Sequence, residues 1–93
     1  MSGIVMVSLA MNDKGVLLAN PEVDLIGMPE TAGNGQSMAE LAYEAVVETL
    51  ESLPRTRRRD PDSVAEAVRR GVRAPLAERS GKKPPVTVHV LVV

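Results

Sequence analysis

The sequence predicts an α+β fold: a two-layer sandwich with a small mixed β-sheet of about three strands, in the order β-β-α-α-β, and two α-helices on one face. Three observations carry this. The last eight residues, Val86–Val93, are β-branched or apolar with a polar pair at Thr87 and His89, as expected for a strand. Two stretches between Ser37 and Leu76 repeat apolar residues at helical spacing behind recognisable N-caps. The apolar run 4–11 leads straight into Asn12-Asp13-Lys14-Gly15, a turn sequence. Two amphipathic helices can bury both stripes economically against one face of such a sheet. Ninety-three residues is the length of one domain with one modest core, so 1–93 is read as one unit.

The first strand is expected over 4–11, covered on both faces or nearly so, because Ile4, Val5, Met6, Val7 and Leu9 leave little alternation. Gly15 supplies the positive φ of the turn, and Val16-Leu17-Leu18-Ala19 is expected to return as the second strand of a hairpin over 4–19. Asn20-Pro21 ends that hairpin, since proline has no N–H for a ladder. Val23–Ile26 is a further short strand or an edge extension. In the loop 31–36, Gly33 and Gly35 make a G-x-G without the strand–turn–helix setting of a nucleotide site, which is a weak signal for phosphate.

The first helix starts after Ser37, with Glu40 at the capping-box position. Met38, Leu41, Ala42, Ala45, Val46, Thr49 and Leu53 form its apolar stripe; Glu40, Glu44, Glu48 and Glu51 form a solvated one. Pro54 stops it. Arg55-Thr56-Arg57-Arg58-Arg59 reads as a basic link. Asp60-Pro61 opens the second helix, with Asp as N-cap and Pro at the first helical position, and Val64, Ala65, Val68, Val72 and Leu76 are its stripe. Pro75 should kink or end it, although Gly71, four positions back, eases the fit. Ser80–Pro85 breaks the chain before the final strand, which should run parallel to the first if the two helices run up and back.

Composition narrows the chemistry. The chain has no Cys, Trp or Phe, one Tyr and one His. That excludes disulfides and Cys-based zinc sites, and a site needing two imidazoles from one chain. One aromatic, Tyr43, is too few for a base-stacking platform. No nucleophile elbow, P-loop or H-E-x-x-H is present. No catalytic or metal-ligating residues are assigned, and no cofactor is expected in this segment. No stretch reads as a membrane span or a signal peptide, which points to a cytoplasmic setting.

Charge is nearly balanced, at −1, but divided: residues 1–54 carry eight acids and one base, residues 55–93 ten bases and four acids. Arg55, Arg57, Arg58, Arg59, Arg69, Arg70 and Arg73 are candidate contacts for RNA or for a protein interface. The rival reading is an acidic helix lying beside a basic one. His89, alone among apolar residues, reads as a half-exposed strand residue. Thr87, His89, Leu91 and Val93 share the strand's second face and are candidate subunit-interface residues.

The ordered set of segments resembles the C-terminal domain of RNase J, a bacterial ribonuclease of the metallo-β-lactamase superfamily with a β-CASP domain. The matching segments are Gly3–Leu9, Asp13–Pro21, Leu25–Glu30, Leu50–Pro54 with the Arg run, Glu66–Arg70, and Gly81–Pro84 leading into Val88–Val90. Together they span essentially the whole chain. The sequence departs from its relatives at Pro75 and Ser80, which bears on the last helical turn. The resemblance implies a small sheet with two helices, joined to its parent by a linker, that supports oligomer assembly and ribonuclease activity without performing it. It also implies a parent enzyme that uses zinc, with none of the zinc ligands or catalytic groups in this segment. The implied partners are further copies of the chain and the parent's catalytic domains, with RNA as an auxiliary partner through the Arg/Lys face. A free-standing regulatory α/β domain is the remaining alternative.

Overall fold

A computed structural model of the chain describes residues 3–27, 37–81 and 83–93. The Gly33–Gly35 loop, the Met28–Glu30 part of the resemblance, and Lys82 lie outside the described residues. The elements are β1 (Ile4–Met11), β2 (Glu22–Ile26), α1 (Met38–Ser52), α2 (Arg55–Arg58), α3 (Pro61–Ser80) and β3 (Val86–Val92). The sheet order is β2-β1-β3. β1 pairs antiparallel with β2 and parallel with β3, from Val5↔Val86 to Met11↔Val92. This is the expected small α+β architecture with a mixed sheet and its two long helices on one face.

Alternation along β1 decides which face they cover. Val5, Val7, Leu9 and Met11 are buried, while Met6 and Ser8 are exposed. The expectation that β1 is covered on both faces is therefore corrected: within this chain one face is covered. Among the described residues, fourteen hydrophobic side chains form the core, from β1, α1, α3, Leu53 and Val86. α1 borders β2, and α3 borders β3.

The hairpin also differs from expectation. Asn12 closes the turn, its Oδ1 accepting from the N–H groups of Lys14 at 2.9 Å and Val16 at 3.0 Å, and Gly15 sits at φ +81°. Val16–Ala19 forms no ladder: it makes the isolated bridge Met11↔Leu17 and two bonds, from Asn12 N–H to Val16 O and from Leu18 N–H to Ala10 O, each at 2.9 Å. The return strand is β2, which begins at Ser8↔Glu22. Between those two pairings β1 advances three residues and the returning limb five. The two extra residues break the register, and Pro21, with no N–H to give, lies in the break.

α1 begins as read: Ser37 Oγ accepts from Glu40 N–H at 3.0 Å. Met38, Ala42, Val46 and Leu50 are its buried residues. The basic link is corrected to one turn of helix, α2, in which Arg57 and Arg58 N–H bond to Pro54 O at 3.0 and 3.1 Å. Asp60 then caps α3, accepting from Asp62 N–H at 3.1 Å and Ser63 Oγ at 3.3 Å.

Pro75 does not end α3, which runs on to Ser80 and closes at Gly81 with φ +75°. The residue whose carbonyl faces the ring is Gly71. Gly71 also sets the spacing of the two long helices, because a Cβ there would collide with Thr49 Oγ1 of α1. Thr49 is held in turn by its own bond to Ala45 O at 2.7 Å. The opposite-sign halves of the chain thus meet as packed helices, α1 against α3.

Candidate interaction surfaces

The uncovered face of the sheet is the first surface. Register places its residues in rows: Asp24, Met6 and Thr87; then Glu22, Ser8 and His89; then Ala10 and Leu91. Thr87, His89, Leu91 and Val93 are all exposed, Leu91 at 55% and Val93 at 75%. The structure brings these four candidate interface residues together on one surface. Apolar area collects at its two ends, Ile26 at one and Leu91 with Val93 at the other, and polar side chains lie between. A shallow depression of about 340 Å³ sits between Ser8, Asn20, Glu22 and His89.

The row Glu22–Ser8–His89 holds the three side-chain types of a hydrolytic triad in the wrong order. A base works on serine when a carboxylate orients the far side of its imidazole. Here the serine stands between carboxylate and imidazole, so Glu22 cannot perform that task. Among the described residues, no group of three His, Cys, Asp or Glu side chains converges to hold a metal ion.

The arginines form the second surface, and they do not merge into one patch. Arg55, Arg57 and Arg59 are exposed around the single turn of α2. Arg58 is half-buried, its backbone against Gly15. Arg69 and Arg70 lie about nine residues beyond Asp60, or about 14 Å along the helix. Glu66 binds both: it accepts from Arg69 Nη2 at 2.6 Å and Nε at 3.2 Å, and from Arg70 Nε at 2.7 Å. Hydrogen bonds from Arg69 first, then Arg70, hold the Glu66 carboxyl below the usual carboxylate range. Two of the three α3 candidates are thus engaged within their own helix. The spacing Glu66, Arg69, Arg70 is an i, i+3, i+4 signal that the sequence already displays.

Arg73 is different. Its Nε is buried and has no hydrogen-bond partner among the described residues. Buried donors of that kind are rare in folded proteins and call for an explanation.

Compared with known families, residues 1–93 match the model of the ribonuclease J C-terminal domain across their whole length. The chain belongs to that family. It is also 40% identical over 89 residues to a ribonuclease J from Sinorhizobium meliloti (strain Sm2011 / Rm2011 / 2011), a match covering 96% of this chain and 16% of the relative. The chain therefore spans about a sixth of that relative's length. Membership in the ribonuclease J C-terminal family sets aside the free-standing domain unrelated to any nuclease. Among the described residues, no helix is long and apolar enough to cross a membrane.

Proposed function

We propose that this chain serves a cytoplasmic, zinc-dependent ribonuclease J as its assembly segment, supporting the oligomer and the activity of the parent without carrying out RNA cleavage. The observation that supports it is the open sheet face. Leu91 and Val93 at one end of it, and Ile26 and Met6 toward the other, are between 41% and 75% exposed, and exposed apolar patches on a small domain mark contact sites. The zinc ions belong, on this reading, to the rest of the parent, because the sequence offers one His and no Cys. The partners are further copies of the chain and the parent's catalytic domains. Deleting this segment from the parent is expected to lower its mass in solution by at least one oligomeric step and to reduce RNA turnover. Zinc bound per remaining chain should not change. An unchanged oligomer after deletion, measured by light scattering, overturns the proposal.

A second reading, auxiliary RNA contact, draws on Arg55, Arg57 and Arg59 clustered on one exposed turn. Every phosphate that a protein ceases to neutralise lowers the slope of log affinity against log salt by about 0.7 for single strands. Replacing the three together with Ala is expected to flatten that slope by about 2 and to weaken binding to all RNA sequences alike. Arg58 is left in place because it packs on Gly15. An unchanged slope in filter binding removes RNA contact by this turn.

A further inference from the structure

Among the described residues, β3 is an edge strand with nothing along it that discourages pairing. It runs seven residues, Val86–Val92, with no charged residue and no proline, and its register with β1 is unbroken. Natural sheets normally blunt such an edge with charges, proline, bulges or short strands. The opposite edge is built that way: β2 is five residues long, carries Glu22 and Asp24, and follows Pro21.

The backbone groups on the open edge can be assigned. Val5 N–H bonds to Pro85 O at 3.0 Å, and Val93 N–H bonds to Met11 O at 2.9 Å. In a parallel ladder alternate residues face the partner strand. Odd-numbered residues of β3 therefore face β1, and Val86, Val88, Val90 and Val92 turn their N–H and C=O groups outward.

The helix above this edge has a polarised flank. α3 meets α1 through Gly71. Asp62, Glu66, Arg69 and Arg73 lie roughly a third to a half turn round from it, at 100° per residue. Because α3 borders β3 and α1 borders β2, that flank overhangs the open edge. Its N-terminal half, with Asp62 and Glu66, is acidic and its C-terminal half, with Arg69 and Arg73, is basic.

We propose that β3 pairs antiparallel with β3 of a second copy of this chain about a two-fold axis at His89, with the two α3 flanks antiparallel beside each other. This rests on the assembly reading above and names its contact. Antiparallel pairing about His89 sets Val86 opposite Val92 and Val88 opposite Val90, so every outward N–H meets an outward carbonyl. The pleat keeps the four valines on the helix side and joins the two exposed faces, placing Thr87 of one copy beside Leu91 of the other. Antiparallel flanks set Asp62 and Glu66 of one copy toward Arg69 and Arg73 of the other, pairing opposite charges across the axis. An unrelated strand would satisfy the backbone but not this charge pattern.

Two measurements on the chain test it. In the wild type, amide hydrogen exchange at Val88 and Val90 is expected to be at least tenfold slower at concentrations where the dimer forms than after dilution. His89→Lys and His89→Glu each place like charges face to face at the axis, which destabilises a cross-strand pair. Each is expected to raise the dimer dissociation constant at least tenfold in sedimentation, while an equimolar mixture restores a heterodimer. His89 is exposed, so circular dichroism should stay unchanged. A dimer whose Val88 and Val90 amides exchange at the diluted rate overturns edge pairing and leaves the assembly reading standing. A mixture that fails to recombine overturns the axis at His89. A wild type that stays monomeric at millimolar concentration overturns both.

Discussion

Leu76→Ala is expected to destabilise this chain by about 3 kcal/mol, within the range for emptying a fully buried leucine site. Leu76 is 0% exposed and belongs to the same core as Val5, Val72 and Val86. It follows Pro75, so the helix there has one fewer hydrogen bond with which to absorb a cavity. A chain of this length has a total stability of roughly 5–14 kcal/mol. At about 4–8 °C per kcal/mol for a domain this small, the melting temperature should fall by roughly 12–24 °C. Leu91→Ala is the control, because Leu91 is 55% exposed and an open site should move stability by no more than about 0.5 kcal/mol. Thermal unfolding followed by circular dichroism reads both. Equal shifts would mean that the helix–sheet core is not where the fold places it.

Gly15→Ala should cost about as much, for a different reason. Gly15 is buried at φ +81°, and a Cβ there would stand 2.7 Å from the carbonyl oxygen of Arg58. The left-handed backbone alone costs a residue with a Cβ roughly 1–2 kcal/mol. Overpacking against a backbone atom, which cannot rotate away, adds roughly 1–3 kcal/mol. Gly81 separates the two contributions, since it has φ +75° but nothing within 4 Å of its would-be Cβ. Gly81→Ala is therefore expected to cost about 1 kcal/mol, and Gly15→Ala about 2 kcal/mol more. Urea unfolding of the two variants gives the comparison. Equal losses would show that the β1–β2 turn does not lean on α2.

The second case shows how far the residues can be read in order. Asn12-Asp13-Lys14-Gly15 announces a turn and a positive φ, since both are local properties of those side chains. That the turn is roofed by the Arg58 carbonyl is invisible in sequence, because the two are 43 positions apart in a 93-residue chain. The return strand of the hairpin is hidden for a related reason. Val16–Ala19 has strand composition, but the register to β1 breaks by two residues before Pro21, and β2 takes its place. Composition cannot tell which of two apolar stretches wins a shared partner.

The surfaces divide in the same way. Glu66 with Arg69 and Arg70 is legible from helical spacing. The separation of the α2 arginines from the α3 arginines is not, nor is the buried Nε of Arg73.

The sequence alone determined the types of β1, α1, α3 and β3, the starts of both long helices, and the grouping of Thr87, His89, Leu91 and Val93. These follow from period, capping and turn chemistry, all of which act over a few residues. Tertiary structure decided which strand returned beside β1, that α3 continues through Pro75, and that β3 is an edge with four outward valine amides. Those outcomes depend on which distant segments compete for the same hydrogen bonds and the same space, and the order of residues does not record that competition.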